Sequence, residues 1–567
     1  MASKEKGRLF TRVTPEESGI DFKNSLRETM RDNVLISEYF FNGAGVSSGD
    51  INNDGLVDLY FVSNQGKNKL YLNKGNFKFE DITESAHIGG REYSWSTGSA
   101  MIDINADGLL DIVLAQSATM RSHNTENLVF VNNGDLTFTE RSGQMRLAVS
   151  AQSTQTTFLD YDLDGDLDAF MLNHQVREPK YESFEKVLKS VSELAGDKLF
   201  RNDNGQFTDV SRKAGIISNP LGYGLGATAS DINQDGYPDI YVSNDFIEHD
   251  YLYINNGDGT FTESSKTALK HMSNFSMGND VGDINNDGLP DIISLDMVAE
   301  DNYGIKANMS GMDIEKFRTA VKSGFHHQYM YNTLQLNMGN TQFSEVGQLA
   351  GVSSTDWSWA PLLADFDNDG HKDLFVTNGF RRNFRNNDFV NFKKTRYESK
   401  KWTKEELPKL MLEYLEKMPI KQISNYMYHN QGHLAFVNKA EEWGLAEPSF
   451  SNGAAYADLD NDGDLDLVVN NIDQPAFVYR NNSVENLDHH YLKFIFKGSD
   501  KNPDGIGAKV TVWHGGQQQY AEHYLTRGYM SSVARGLHFG LGKSTVIDSM
   551  QVEWPGGKVQ KLKTLKA

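Results

Sequence analysis

The chain has 567 residues and a formal net charge of −22, with 50 glycines and no cysteine. That length exceeds one ordinary core, so several domains or a repeat array are expected. The absence of cysteine excludes disulfides and thiolate metal sites, acidity without a basic face argues against nucleic acid, and no apolar run of about 18 residues exists to form a membrane span.

The chain opens on the short polar stretch Met1-Ala2-Ser3-Lys4-Glu5-Lys6-Gly7, which is not a signal peptide. Phe10-Thr-Arg-Val13 with Glu17-Ser-Gly-Ile20 repeats a pattern seen later as Phe207-Thr-Asp-Val210 with Ala214-Gly-Ile216. Residues 1–24 are therefore expected to supply an outer strand to the last repeat, which lacks one. Such a strand closes a ring and leaves no open sheet edge.

Asp50 begins the first of seven copies of one nine-residue unit, D-x-(D/N)-x-D-G-x-x-D. Oxygen-bearing side chains at positions 1, 3, 5 and 9, a carbonyl at 7 and a bend at the glycine suit a hard cation that takes six to eight oxygens. The predicted ligands are Asp50, Asn52, Asp54, Leu56 and Asp58; then Asp103, Asn105, Asp107, Leu109 and Asp111; then Asp160, Asp162, Asp164, Asp166 and Asp168. They continue with Asp231, Asn233, Asp235, Tyr237 and Asp239; Asp283, Asn285, Asp287, Leu289 and Asp291; Asp365, Asp367, Asp369, His371 and Asp373; and Asp458, Asp460, Asp462, Asp464 and Asp466. Position 7 contributes its carbonyl in each. The unit is not an EF-hand, because the closing acid stands at position 9 rather than 12. Up to seven structural Ca²⁺ ions are expected, and seven would bring the net charge from −22 to −8. Mg²⁺ fits less well, since it prefers a tight octahedral shell with several waters.

A small-residue strand precedes each loop and an alternating strand follows it. A second half with Asn, Gly and Phe comes next, as in Leu70-Tyr-Leu-Asn73-Lys-Gly75 to Phe79. Four strands in about fifty residues is the size of a propeller blade. The predicted fold is all-β: a seven-bladed β-propeller over residues 25–487, with helical insertions and a small C-terminal β domain. The insertions fall at about 173–197, 297–330 and 379–427, and the third contains Lys404 to Leu415 at helical spacing. Eight residues before each loop stand Asn42, Trp95, Gln152, Tyr223, Phe275, Trp357 and Phe450. The five aromatics form a candidate ligand ring at one channel mouth, which Trp359, Arg381 and Arg382 are placed to join. Packing between blades is the competing reading. The pairs His326-His327 and His489-His490 are read as surface or packing residues.

The loops stop before residue 488. Beyond it Tyr491–Phe496, Ala508–Trp513, Gln519–Tyr524 and Ser549–Trp554 alternate as strands of the domain 488–567. This end also carries Gly505-Ile-Gly-Ala508, Arg527-Gly-Tyr-Met-Ser531, His538-Phe-Gly-Leu-Gly542 and Val552-Glu-Trp-Pro-Gly-Gly557. On these motifs it resembles the ASPIC/UnbV domain, and the loop repeats resemble the FG-GAP/VCBS propeller family, whose loops bind Ca²⁺ in integrin α-subunit heads. The stretch from Phe10 to Asp58 is similar to exported lipoproteins of Bacteroidota. The resemblance implies an exported protein at a bacterial cell surface, outer membrane or periplasm, with its leader and a lipid anchor belonging to a longer precursor. It also implies chain beyond residue 567.

No G-x-S-x-G, H-E-x-x-H or P-loop is present. The expected function is a calcium-stabilised binding or assembly module, a non-catalytic subunit meeting protein partners at the outer membrane. The alternatives are a carbohydrate-active lyase or hydrolase, or a glycan-binding lectin, on the same propeller.

Overall fold

The computed structural model describes residues 7–117, 125–175, 184–308 and 314–566. Seven sheets, each built on four antiparallel strands, occupy most of it. Their first strands are Val46–Gly49, Ser96–Ile102, Ser153–Leu159, Gly224–Ser230, Asn279–Gly282, Ser358–Ala364 and Ser451–Ala457. Each lies against the next and the seventh lies against the first, so the sheets form a closed ring with these strands around the axis. The class is all-β and the architecture a propeller. Burial explains the strand composition: the central strands are covered on both faces and are rich in Val, Ile, Leu and Ala.

Each loop joins the first and second strands of its sheet. Its fourth residue turns left-handed, at φ 56° to 61° in all seven, including Ala106 and Leu163. That conformation is uncommon for residues other than Gly and Asn, so the surrounding hydrogen bonds must hold it. Strand direction then puts all seven loops on one face of the disc. The second-to-third connections and the starts of the inner strands lie on the other.

The seventh sheet has the order Phe10–Val13, Phe477–Asn481, Asp466–Asn471, Ser451–Ala457. Its outer strand comes from the N-terminal segment, with Phe10 opposite Asn481 and Val13 opposite Val478. Phe10 is fully buried, against Phe366 at 6.1 Å.

The insertions sit on the face away from the loops. In the first, the helix Phe184–Leu188 is followed by a reversal in which the Ser190 and Ser192 N–H groups donate to the Val187 and Ser218 carbonyls. The second holds helices Asn302–Asn308 and Ile314–Lys322, and the third Asn387–Glu398 and Leu407–Lys417. Leu410, Tyr414 and Leu415 bury the inner side of the last of these. Residues 118–124, 176–183 and 309–313 lie outside the described part, and the first insertion includes the second of these stretches.

At the C-terminal end, Gln517–Glu522, Lys509–His514, Val546–Glu553 and Val559–Lys566 form one sheet in that order, and His490–Phe494 pairs with Leu537–Gly542. Val510, Val512, Phe539, Leu541, Ile547 and Met550 make their common core. This end is not detached from the propeller. Thr526–Arg527 and Ser531–Ser532 leave it as a hairpin and extend the first propeller sheet, with Ser532 parallel to Ser47.

Candidate metal loops and the central channel

The position-9 aspartate of each loop is a clasp. In the seventh loop the Leu459 N–H donates to one Asp466 oxygen and the Asn481 N–H to the other, both at 2.8 Å. Asp58, Asp111, Asp168, Asp239, Asp291 and Asp373 do the same with the second loop residue and an asparagine of the third strand. These seven aspartates are almost wholly buried. Burial pushes Asp58 up to about 7 and Asp111 and Asp291 up to about 8, although each accepts two backbone N–H groups. A carboxylate so placed is eased by a cation nearby.

The asparagine also stitches sheets together. Asn481 donates through its amide to the Leu465 carbonyl of its own loop and to the Phe366 carbonyl of the preceding loop. Asn73 reaches Val57 and Leu459 in the same way, which joins the first sheet to the seventh. Asn132, Asn255, Asn337 and Asn430 repeat the pattern. In five of the repeats this role is legible in the sequence as the Asn of an Asn-x-Gly turn, at Asn73, Asn132, Asn255, Asn337 and Asn430.

Three loops gather carboxylates closely enough to hold a cation: Asp160, Asp162 and Asp168; Asp365, Asp367 and Asp369; Asp458, Asp460 and Asp462. These are the loops with aspartate at position 3. Buried oxygens of Asp160, Asp162, Asp458, Asp460, Asp462 and Asp464 have no hydrogen-bond partner. Leaving such acceptors unpaired is costly, so the donor set fits a divalent cation bound by oxygen. Burial, with Asp164 and Asp162 beside it, pushes Asp160 up to about 7. Burial and neighbouring carboxylates likewise raise Asp365, Asp367 and Asp460.

In the other four loops the position-3 asparagine is bonded to position 5. Asn52 donates to Asp54, Asn105 to Asp107, Asn233 to Asp235 and Asn285 to Asp287, at 2.8 to 3.0 Å. Position-7 side chains divide differently, because the loop at Asp365 joins the second group. Asp166 and Asp464 are buried, while Leu56, Leu109, Tyr237, Leu289 and His371 sit half-buried on the rim.

A second set of residues escaped the sequence reading. The residue before the stitching asparagine is Arg201, His429 or Arg480 beside the loops with Asp at position 3, and Leu72, Val131, Ile254 or Leu336 beside the others. Arg480 Nε lies 3.4 Å from Asp460, and His429 Nε2 lies 3.4 Å from Asp367 and 3.3 Å from Asp369. The C-terminal end adds Lys493 at 3.0 Å from Asp458, Lys501 at 3.0 Å from Asp166, and Lys509 on Asp231. It therefore rests on the loop face of the disc.

The aromatic ring on the opposite mouth is filled by the chain itself. A 3₁₀ turn, Glu38–Phe41, crosses that mouth. Tyr39 stacks on Tyr223 at 3.9 Å and Phe40 packs on Trp95 at 5.6 Å. Trp357 stacks on Phe380 at 3.9 Å, Arg385 lies over Phe275, and Phe450 is buried. Trp359 donates its indole N–H to the Gly379 carbonyl, Arg381 pairs with Asp473 and Arg382 with Glu28. Tyr223 and Trp95 are thus packed by the turn Glu38–Phe41, and Trp357 and Phe275 by Phe380 and Arg385 of the third insertion.

From the loop face the hairpin around Thr526–Ser532 enters the channel. Tyr529 is fully buried, 5.0 Å from Trp359, and the Met530 carbonyl accepts the Ser99 N–H. Room for it comes from the residue five before six of the loops, Gly45, Gly98, Gly226, Gly278, Ala360 and Gly453, while Gln155 at the seventh such position donates its amide to the Ser531 carbonyl. A Cβ on Gly45 would stand 1.6 Å from the Met530 carbonyl oxygen, and one on Gly278 would stand 2.6 Å from that of Gly528. The small-residue ring leaves a trace in the sequence three positions after the aromatic one.

A family model described as FG-GAP-like repeat matches residues 50–114, 103–171, 190–242, 231–294 and 324–376, and one described as ASPIC and UnbV matches 498–567. Cartilage acidic protein 1 of Xenopus tropicalis is 26% identical over 210 residues, which is 36% of this chain and 29% of that protein. The chain thus spans under a third of the curated relative it matches. Among solved structures, an Agrocybe aegerita lectin recognising non-reducing terminal N-acetylglucosamine aligns over 70% of this chain and 79% of its own, at 14% identity and a TM-score of 0.36. A rhamnogalacturonan lyase of Bacillus licheniformis aligns over 78% and 72%, at 11% identity and a TM-score of 0.37.

Proposed function

Because the chain is an FG-GAP-like repeat protein with a C-terminal ASPIC and UnbV domain, we propose that it is a calcium-stabilised binding and assembly module rather than an enzyme. The observation that carries the calcium reading is the set of unpartnered, buried carboxylate oxygens in the loops beginning at Asp160 and Asp458. Side-chain oxygens of Asp160, Asp162 and Asp168 in the one loop and of Asp458, Asp460 and Asp462 in the other would hold the ion. When bound, Ca²⁺ supplies the positive charge that lets these carboxylates stay ionised side by side. The chain's own residues then fix strand to strand: the clasp aspartate ties loop to third strand, and the asparagine ties sheet to sheet.

The binding-module reading is supported by the channel. Both mouths are taken by the chain's own side chains, which leaves the rim, the insertions and the C-terminal end as contact surfaces. Loops of this kind fill at the free calcium found outside the cytosol. We therefore place the protein outside it, as a cell-surface lipoprotein subunit in a bacterial outer-membrane complex. None of the helices among the described residues is long and apolar enough to cross a membrane.

Thermal melting in saturating calcium and in EDTA tests the scaffold. A ligand held at about a hundred times its Kd adds about 2.7 kcal/mol per site, so chelation should lower the melting temperature by about 10 °C or more. A melt unchanged by EDTA would remove the calcium reading.

A further inference from the structure

A cavity of about 650 Å³ lies in the seam between the third metal loop and the C-terminal domain. The loop contributes Asp164 and Gly165, and the domain contributes Trp554, Lys497, Lys501 and Lys558. A smaller recess continues inward past Trp554 toward Tyr524 and Lys509.

Trp554 is held as a rigid platform. Its ring meets Phe496 edge-on at 5.8 Å, and a Cβ on Gly505 beneath it would come within 3.0 Å of the ring. Its backbone closes a tight turn, with the Trp554 N–H donating to the Lys558 carbonyl and the Gly557 N–H to the Trp554 carbonyl. The side chain nevertheless stays half-buried and lines both cavities.

The lysines differ in state. Lys501 is engaged by Asp166 and by the Asp164 carbonyl. Lys497 and Lys558 are exposed and have no ion pair among the described residues, in a chain whose net charge is −22. Lys561 and Lys563 continue the exposed positive track along the edge strand Val559–Lys566. Of the acids on the wall, Asp160 accepts the Gly165 N–H inside its own loop, while Asp164 and Asp500 flank the opening.

We propose that this seam binds an acidic saccharide, with a uronate ring stacked on Trp554 and its carboxylate held between Lys497 and Lys558. A fixed indole offers the flat apolar surface that the C–H face of a pyranose covers, and polar walls orient the rest. Unpaired ammonium groups select the charged sugar over the neutral one, and the lysine track suits a chain of uronates. The proposal deepens the binding-module reading and rests on it. Calcium-dependent melting tests the scaffold and saccharide titration tests the seam, so either can fail alone.

The test is calorimetric titration of the full chain in calcium-replete buffer with trigalacturonate. Saturable binding is expected. The double variant K497E/K558E should weaken it at least tenfold with an unchanged melting temperature. Trp554→Ala should weaken it as much, and the fully methyl-esterified trimer should bind at least tenfold more weakly than the acid. If Trp554→Ala fails to fold, the lysine pair and the ester carry the test. Absence of binding, equal binding by the ester or by the lysine double variant, or equal binding of a glutamate oligomer would each overturn the proposal.

Discussion

At position 3 of the loops, an added carboxylate travels with an added cation. Asp162, Asp367 and Asp460 are matched by Arg201, His429 and Arg480, whereas Asn52, Asn105, Asn233 and Asn285 face Leu72, Val131, Ile254 and Leu336. The repeats thus offer two ways of limiting like charge in one small loop: an amide in place of the acid, or a guanidinium or imidazole beside it. Exchanging one solution for the other in the seventh loop tests this. Arg480→Leu should destabilise the calcium-free protein by about 1–2 kcal/mol, because it removes a partner from crowded carboxylates. It should also tighten calcium binding several-fold. Asp460→Asn should do the reverse, and the double variant should return close to the parent, giving a coupling measurable by denaturant melts in EDTA. Additive single effects would sink the compensation. The same carboxylates set a pH dependence. Asp160 at about 7 and Asp58 at about 7 lie above their unfolded values, so the folded state binds protons more tightly. Their protonated forms stabilise the calcium-free protein fully below about pH 4, and that stability is lost as pH rises through 7. In EDTA the melting temperature should therefore fall between pH 5.5 and 8, and saturating calcium should flatten that slope.

The inserted hairpin is where element and sequence part company. Period, turn chemistry and loop spacing made the sheets readable, because each repeat satisfies the same local rules seven times. Arg527-Gly-Tyr-Met-Ser531 is legible as a motif, yet its destination is not, since it depends on a cavity made by seven separated strands. The trace it leaves is the small-residue ring. Gly45 and Gly98 meet Met530, and Gly278 meets Gly528. The surroundings of the aromatic ring are hidden for the complementary reason. Its spacing is real, but Tyr39, Phe40 and Phe41 approach it from outside the repeat. Two substitutions measure the fit. Tyr529→Ala empties a fully buried site beside Trp359 and should cost about 3–5 kcal/mol. Gly45→Ala drives a methyl into the Met530 carbonyl and should cost about 1–3 kcal/mol or eject the hairpin. Limited proteolysis should then cut between residues 525 and 534 in Gly45→Ala and leave the parent intact. Equal resistance and equal melting would mean the hairpin is not seated in the channel.

At the scale of the whole molecule, both ends of the chain lock the ring. Phe10–Val13 completes the seventh sheet, Glu38–Phe41 covers one mouth, and Thr526–Ser532 enters the other. Each lock joins residues far apart in sequence, as Arg12 with Glu447 and Ser47 with Ser532 show. Closure of this kind pays its loop entropy late, so folding should be slow and its last step should be the docking of the ends. The edge that the first lock covers is Phe477–Asn481, with Phe477, Val478 and Tyr479 buried. Deleting residues 1–13 uncovers that edge and removes Leu9 and Phe10 from the core they share with Trp443 and Phe366. An uncovered strand edge recruits another chain. The truncated protein should therefore melt several degrees lower and elute partly as dimers and larger species that grow with concentration. Adding a peptide of residues 7–20 should restore the monomer, because it replaces the missing strand in register, with Phe10 opposite Asn481. A truncated chain that stays monomeric at the parent melting temperature would mean that the six complete sheets hold the ring closed without the N-terminal strand.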